Sequence, residues 1–160
     1  MGKLKATWMR IIHSDEPIEF VHPSIMLCGP TPRNPDISSW RPTAINILKD
    51  LGFSGTVLVP ERKNWATKFE YNDQVEWEWE ALENCSHIVF WVPRKLPEMP
   101  GFVTNIEFGG YVRSGRAYYG RPDNSEKKGY LDWLYTKVTN RQPFNNLTEL
   151  LRHVTNLENK

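Results

Sequence analysis

Four short apolar runs, each closed by proline or glycine, constrain this chain more than any other feature. Ser24-Ile25-Met26-Leu27-Cys28 ends at Gly29-Pro30, Thr56-Val57-Leu58-Val59 ends at Pro60, His87-Ile88-Val89-Phe90-Trp91-Val92 ends at Pro93, and Ala117-Tyr118-Tyr119 precedes Gly120. Runs this short and this apolar read as strands buried on both faces. Between the first two, Ala44, Ile47, Leu48 and Leu51 recur at i, i+3, i+4, i+7. That spacing predicts a helix over 40–51, with Ser38 and Ser39 as N-cap candidates, Pro42 in the first turn and Gly52 at C′. Asp73 is the expected cap of a second helix running to Cys85, with Glu76 at the capping-box position. Thr104 is the expected cap of a third helix, to Arg113, and two further helices are expected over 126–137 and 147–157. In the last, Leu147, Leu150, Leu151 and Val154 share a face. Strand and helix in alternation predict a doubly wound, mostly parallel α/β sheet. Ligands of such sheets lie beyond the carboxyl ends of the strands, near the switch point, which here means 29–34, 60–63 and 93–104.

Composition narrows the partners. The chain has 160 residues, enough for one hydrophobic core, and its 39% hydrophobic content with ten glycines excludes a disordered or fibrous chain. Twenty Lys+Arg against nineteen Asp+Glu leave +1, so no net field exists to hold a nucleic-acid polymer or an anionic membrane. No apolar run approaches the ~18–20 residues that span a bilayer, and no apolar signal core follows Met1, so a cytoplasmic protein is expected. Cys28 and Cys85 stand far apart in apolar contexts and read as two buried reduced thiols. His13, His22, His87 and His153 form no pair at ligand spacing, and neither a metal nor a cofactor is expected.

Two carboxylates stand out. On a helical wheel starting at Val75, Glu83, Glu76 and Glu80 group together on one side, a solvent face. Val75, Trp79, Leu82 and Cys85 mark out an apolar arc, and Glu78 falls inside that arc, between Cys85 and Leu82. An unpaired carboxylate buried there costs several kcal/mol, so Glu78 either reaches water or an arginine at the helix end, or opens into a site. The second is Glu107. Thr104-x-x-Glu107 has capping-box spacing, and from spacing alone the favoured role is a bond back to the Thr104 amide. Two features point elsewhere. The helix opens at the C-terminal side of the sheet, where its dipole favours a carboxylate. Gly109-Gly110 costs about 1 kcal/mol per glycine relative to alanine, which helices accept mainly where a backbone approaches something closely. An ionised carboxylate so placed can act as a nucleophile.

At these residues the chain resembles the nucleoside 2-deoxyribosyltransferase superfamily, specifically its branch of small nucleoside 2-deoxyribosyltransferase-like proteins. The resemblance covers about residues 23–138. It rests on Ile25-Met26-Leu27-Cys28-Gly29-Pro30-Thr31-Pro32-Arg33, Ser39-Trp40-Arg41-Pro42, Gln74-Val75-Glu76-Trp77-Glu78, Phe90-Trp91-Val92-Pro93 and Thr104-Asn105-Ile106-Glu107-Phe108-Gly109. It implies a flavodoxin-like three-layer α/β sandwich, with a mostly parallel sheet of about five strands and extra C-terminal helices. The whole chain is then one domain, its core at about 23–138 and a helical extension at about 139–160.

The resemblance further implies a double displacement. Glu107, in the family's Glu-x-Gly pattern with Gly109, attacks the anomeric carbon of a (deoxy)nucleoside or nucleotide and forms a glycosyl ester. Glu78, at the position of the family's helix acid, carries the proton of the departing and arriving base. Glu107 at a helix N-terminus is expected to ionise readily, and half-buried Glu78 to hold its proton longer. Two positions depart from the family pattern: Gly101 stands where typical transferases carry an aspartate, and the Gly29-Pro30 turn replaces a frequent tyrosine. The alternatives are an N-glycosidase with water as acceptor, or a catalytically weak module that binds a nucleotide or nucleoside derivative. A phosphoribohydrolase of another α/β fold is disfavoured, because no Gly-rich phosphate loop follows any strand.

The remaining expectations concern binding. Gly29, Pro30 and Thr31 are expected to touch the substrate, and Gly109 to let it approach. Arg33 and Arg41 are candidates for a 5′-phosphate, although surface arginines more often bind none. Asn105 either hydrogen-bonds the sugar or serves the helix start. Trp77 and Trp91 either stack a base or pack the core. Tyr130, Leu131, Trp133 and Leu134 read as core or subunit contacts, and the resemblance implies a homo-oligomer.

Overall fold

The structure is a computed structural model that describes residues 8–159. Its strands are β1 (Met9–His13), β2 (Ser24–Cys28), β3 (Gly55–Val59), β4 (His87–Trp91) and β5 (Ala117–Gly120). Its helices are α1 (Arg41–Asp50), α2 (Tyr71–Asn84), α3 (Phe102–Tyr111), α4 (Gly129–Thr139) and α5 (Leu147–Leu157). The five strands form one sheet in the order β1-β3-β2-β4-β5, every pair parallel. β2, β3 and β5 are buried at every position, as strands covered on both faces must be.

The helices form the outer layers of an α/β three-layer sandwich, the flavodoxin-like architecture. Trp77, Ala81 and Leu82 of α2, Phe108 of α3, and Leu131 and Tyr135 of α4 pack on one face with Met26, Ile88 and Phe90. Ala44 and Leu48 of α1, with Leu150, Leu151 and Val154 of α5, pack on the other with Ile25, Val57 and Val89. The C-terminal helix is therefore part of the core, and Asn146 caps it by accepting a hydrogen bond from the Glu149 amide at 3.0 Å. β2 leads through α1 to β3 on one side, and β4 leads through α3 to β5 on the other. The switch point lies between the carboxyl ends of β2 and β4.

Several local expectations shift. β1 is the strand that the apolar runs do not reveal. It is a partly exposed edge strand with Arg10 and His13 in it, and only its pairing with Gly55–Val59 defines it. α1 starts at Arg41 with Trp40 in the N-cap position, and Ser39 Oγ accepts the Arg41 amide instead, at 3.2 Å. Gly52 takes the positive φ, +73°, expected at C′. α2 begins at Tyr71, so Asp73 lies within its first turn and caps nothing. Its buried side is Trp77, Ala81 and Leu82, while Val75 and Trp79 are exposed. The buried arc is thus rotated by roughly a quarter turn from the one that periodicity predicts, and Glu78 lies closer to its centre.

α3 begins at Phe102, after Gly101 with φ +64°, and no side chain caps it. Thr104 is already inside the helix, so the Thr104–Glu107 capping box does not form. Gly109 and Gly110 are exposed, and a Cβ at either would meet no other part of the described chain within 4 Å, so packing within the chain does not explain them.

Candidate active site

A cleft of about 330 Å³ opens at the switch point, at the low end of the range for small-molecule sites. The turn after β2 forms its floor and Pro60 after β3 one edge, while α2 and the start of α3 form its walls. The turn is tightly held. A Cβ at Gly29 would lie 2.0 Å from the Trp91 carbonyl oxygen and 2.7 Å from the Trp40 ring, so only glycine allows the backbone to pass there. Gly101 meets the turn from the opposite side, where a Cβ would lie 2.8 Å from Pro30 Cγ. Together with its positive φ, this contact makes a side chain at position 101 strained.

The turn is also bracketed by Ser39-Trp40-Arg41. The Trp40 indole N–H donates to the Pro30 carbonyl at 3.1 Å. Arg41, 1% exposed, donates from Nε to the Leu27 carbonyl (2.9 Å), from Nη2 to the Gly29 carbonyl (2.7 Å) and from Nη1 to Thr31 Oγ1 (2.9 Å) and Glu61 Oε2 (3.0 Å). Ser39 Oγ donates to the same Glu61 oxygen at 2.7 Å.

Glu78 and Glu107 enter the cleft from α2 and α3. Burial raises the carboxyl of Glu78, and a hydrogen bond with Gln74 and the Arg41 charge pull it back. Burial also raises Glu107, and the charge of Glu78 adds to this, carrying it to about 7 against the opposing pull of the Cys28 thiol and Arg41. Glu107 thus does not ionise as readily in the unliganded protein as the sequence suggests. α3 begins at Phe102, so Glu107 lies beyond its first turn, where the helix dipole does little against burial beside a second carboxylate. Cys28, fully buried beneath the pair, has its thiol pushed far up by desolvation and by both glutamates.

The structure brings Gly29, Pro30, Thr31, Arg33, Glu78 and Glu107 together around this cleft, with Arg41 beneath them. It does not bring Trp77, Asn105 or Gly109 there. Trp77 is packed in the core, and its indole N–H donates to the Glu16 carbonyl at 3.1 Å, so base stacking by this residue is corrected to a packing role. Trp91 packs in the core on the other face of the sheet. The Asn105 side-chain oxygen accepts from Arg94, a buried cation that also donates to the Pro100 carbonyl (2.7 Å) and the Lys127 carbonyl (2.9 Å). Asn105 thus serves the helix start, the second of its two readings, and is not available to a sugar in this geometry. Arg41 has spent its donors on the turn and on Glu61, which corrects its reading as a phosphate ligand. Arg33 stays at the rim, with its guanidinium 5.7 Å from the centre of the Phe102 ring.

Tyr71, Gln74, Phe102 and Val103 also line the cleft, and periodicity does not single them out. Tyr71 and Phe102 are the first residues of α2 and α3 and are largely exposed. Their signal in the sequence is an aromatic residue in the stretch beyond a strand end, outside any buried stripe. Among the described residues no three His, Cys, Asp or Glu side chains cluster to hold a metal ion, and no helix is long and apolar enough to cross a membrane.

The chain is thus a parallel α/β protein with two carboxylates lining its switch-point cleft. A family model described as nucleoside 2-deoxyribosyltransferase like matches residues 22–124, well over half of the chain, and takes in the turn, α1, Glu78 and Glu107. The chain belongs to this nucleoside 2-deoxyribosyltransferase-like family. No curated protein sequence matches it.

Proposed function

We propose that this protein breaks the N-glycosidic bond of a (deoxy)nucleoside or nucleotide and passes the sugar to a second base or to water. The observation that carries the reading is the convergence of Glu78 and Glu107 on one cleft with their charges coupled. Two carboxylates that disfavour joint ionisation hold one proton between them near neutral pH. One ionised and one protonated carboxyl is the pairing that a retaining glycosyl transfer requires.

In the reactive form Glu107 is the carboxylate and Glu78 the acid. A Glu107 oxygen attacks C1′ while the C1′–N bond breaks, and its electron pair leaves with the base, which takes the Glu78 proton. The Glu107 ester then holds the sugar. An incoming base nitrogen or water loses a proton to Glu78 as it attacks C1′, and the ester bond returns its electrons to Glu107. No cofactor takes part. A second copy of the chain as neighbour belongs to the same reading, and the exposed Ile106, Tyr130 and Trp133 on α3 and α4 support it.

Incubation with each deoxynucleoside, or its 5′-monophosphate, and a different free base tests the reading. Exchanged product marks a transferase, and base release without exchange marks a hydrolase. Binding that raises the melting temperature, with no product, marks a module without turnover. A Glu107→Ala variant that keeps its rate overturns the nucleophile.

A further inference from the structure

Besides the pull of the Arg41 charge on both carboxylates, Trp40 and Arg41 close on one turn, and Ser39 supports them through Glu61. Trp40 takes the carbonyl of Pro30, and Arg41 those of Leu27 and Gly29. The Gly29 and Pro30 carbonyls are therefore held by the protein body. The donors are few, because Pro30 and Pro32 have no N–H, and Thr31 carries the single backbone donor of the three residues. Among the described residues that amide makes no hydrogen bond.

The Thr31 hydroxyl is constrained in the same sense. A hydroxyl has one proton and two acceptor positions. Arg41 Nη1 occupies an acceptor position at 2.9 Å, and the hydroxyl donates to none of the described residues. Thr31 lines the cleft, so its proton is left for whatever fills it. Glu61, 14% exposed at its side chain, fixes the same Arg41 nitrogen at 3.0 Å, and Ser39 fixes Glu61. A guanidinium with four of its five N–H groups directed at fixed acceptors has one orientation available.

We propose that Arg41 is a positioning residue that acts through Thr31, turning the Thr31 hydroxyl proton into the cleft to hold an acceptor oxygen of the bound nucleoside opposite Glu107. This rests on the nucleoside-cleaving reading above. Arg41 touches no substrate. It sets the direction of a donor that does.

The test uses the full chain and whichever of the deoxynucleosides or their 5′-monophosphates it cleaves fastest. Thr31→Val keeps the shape and removes the hydroxyl. It is expected to lower kcat/KM about tenfold, the worth of one hydrogen bond to a ligand, with the melting temperature little changed. Thr31→Ser is expected to recover most of that loss. Arg41→Lys keeps the charge but cannot span the four acceptors, and is expected to lose at least as much as Thr31→Val. The double variant is expected to be no worse than Arg41→Lys alone. Should Arg41→Lys fail to fold, Glu61→Gln supplies that arm by releasing Nη1.

Losses that multiply in the double variant show that Arg41 acts independently of Thr31 and overturn the proposal. Thr31→Val within about twofold of the parent protein, while Glu107→Ala is dead, overturns it and leaves the nucleoside reading standing. If the parent protein neither cleaves any of these compounds nor gains melting temperature with them, the nucleoside reading fails and this inference fails with it.

Discussion

Glu78 on α2 and Glu107 on α3 face the same cleft, and the charge of Glu78, after burial, is the second cause that lifts the Glu107 carboxyl to about 7. This coupling disfavours joint ionisation of the two acids.

Removing the charge of Glu78 isolates the two causes. In Glu78→Gln, Glu107 loses its repulsive neighbour but stays buried. Its pKa is expected to fall from about 7 yet remain above the ordinary carboxylate value of 4.5. Titration of the carboxyl carbon by NMR measures this, and an unmoved midpoint shows that the two acids do not interact.

The same raised pKa makes stability depend on pH. The folded protein keeps a proton on Glu107 between 4.5 and about 7 that the unfolded chain has released. This favourable contribution is complete below 4.5 and is lost as pH rises through about 7. Glu107→Gln, neutral at every pH, is expected to raise the melting temperature at pH 8 by on the order of 5 °C and to give far less at pH 5. Thermal melts at the two pH values check the sign. An equal gain at both would mean that the carboxylate is not strained by burial.

Gly29 has no room for a side chain. Gly29→Ala drives a Cβ toward the Trp91 carbonyl and the Trp40 ring, with the turn and β4 both fixed. A loss of about 2–3 kcal/mol is expected, and urea unfolding measures it. Gly109→Ala, at a position with nothing within 4 Å, is expected to stabilise α3 by up to about 1 kcal/mol. The pair of variants separates a glycine needed for space from one that is not.

Trp77 tests whether the tryptophan next to Glu78 belongs to the core or to the ligand. Trp77→Phe loses the hydrogen bond to the Glu16 carbonyl and some packing, for an expected cost of about 1–2 kcal/mol. KM is expected to stay where it was. A raised KM with unchanged stability would return this ring to the site.

How far the sequence reached depends on the range of each interaction. The extents of β2 and α5 were legible to the residue, because buried strands and an amphipathic helix declare themselves through composition and period. Glu78 was legible as an acid within an apolar arc, although the arc itself was misplaced by roughly a quarter turn. Trp79 is apolar and exposed, and a wheel cannot distinguish an apolar residue in the core from one on the surface. Glu107 was legible through resemblance, while its local spacing pointed to a cap that the early start of α3 removes.

By itself the sequence determined the alternation of strand and helix, the loops that carry the site and the two acids in it. The alternation, the loops and Glu78 follow from periodicity and turn chemistry, which act over a few residues, and Glu107 follows from resemblance. Only the tertiary structure decided that β1 joins the sheet, that Asn105 and Trp77 turn away from the cleft, and that Arg41 is a buried bracket rather than a surface cation. It also decided that burial and the charge of Glu78 raise the Glu107 carboxyl. Each of these depends on what distant segments bring together and on how much water they leave there, and burial, charge coupling and the spending of hydrogen-bond donors exist only once that contact is made.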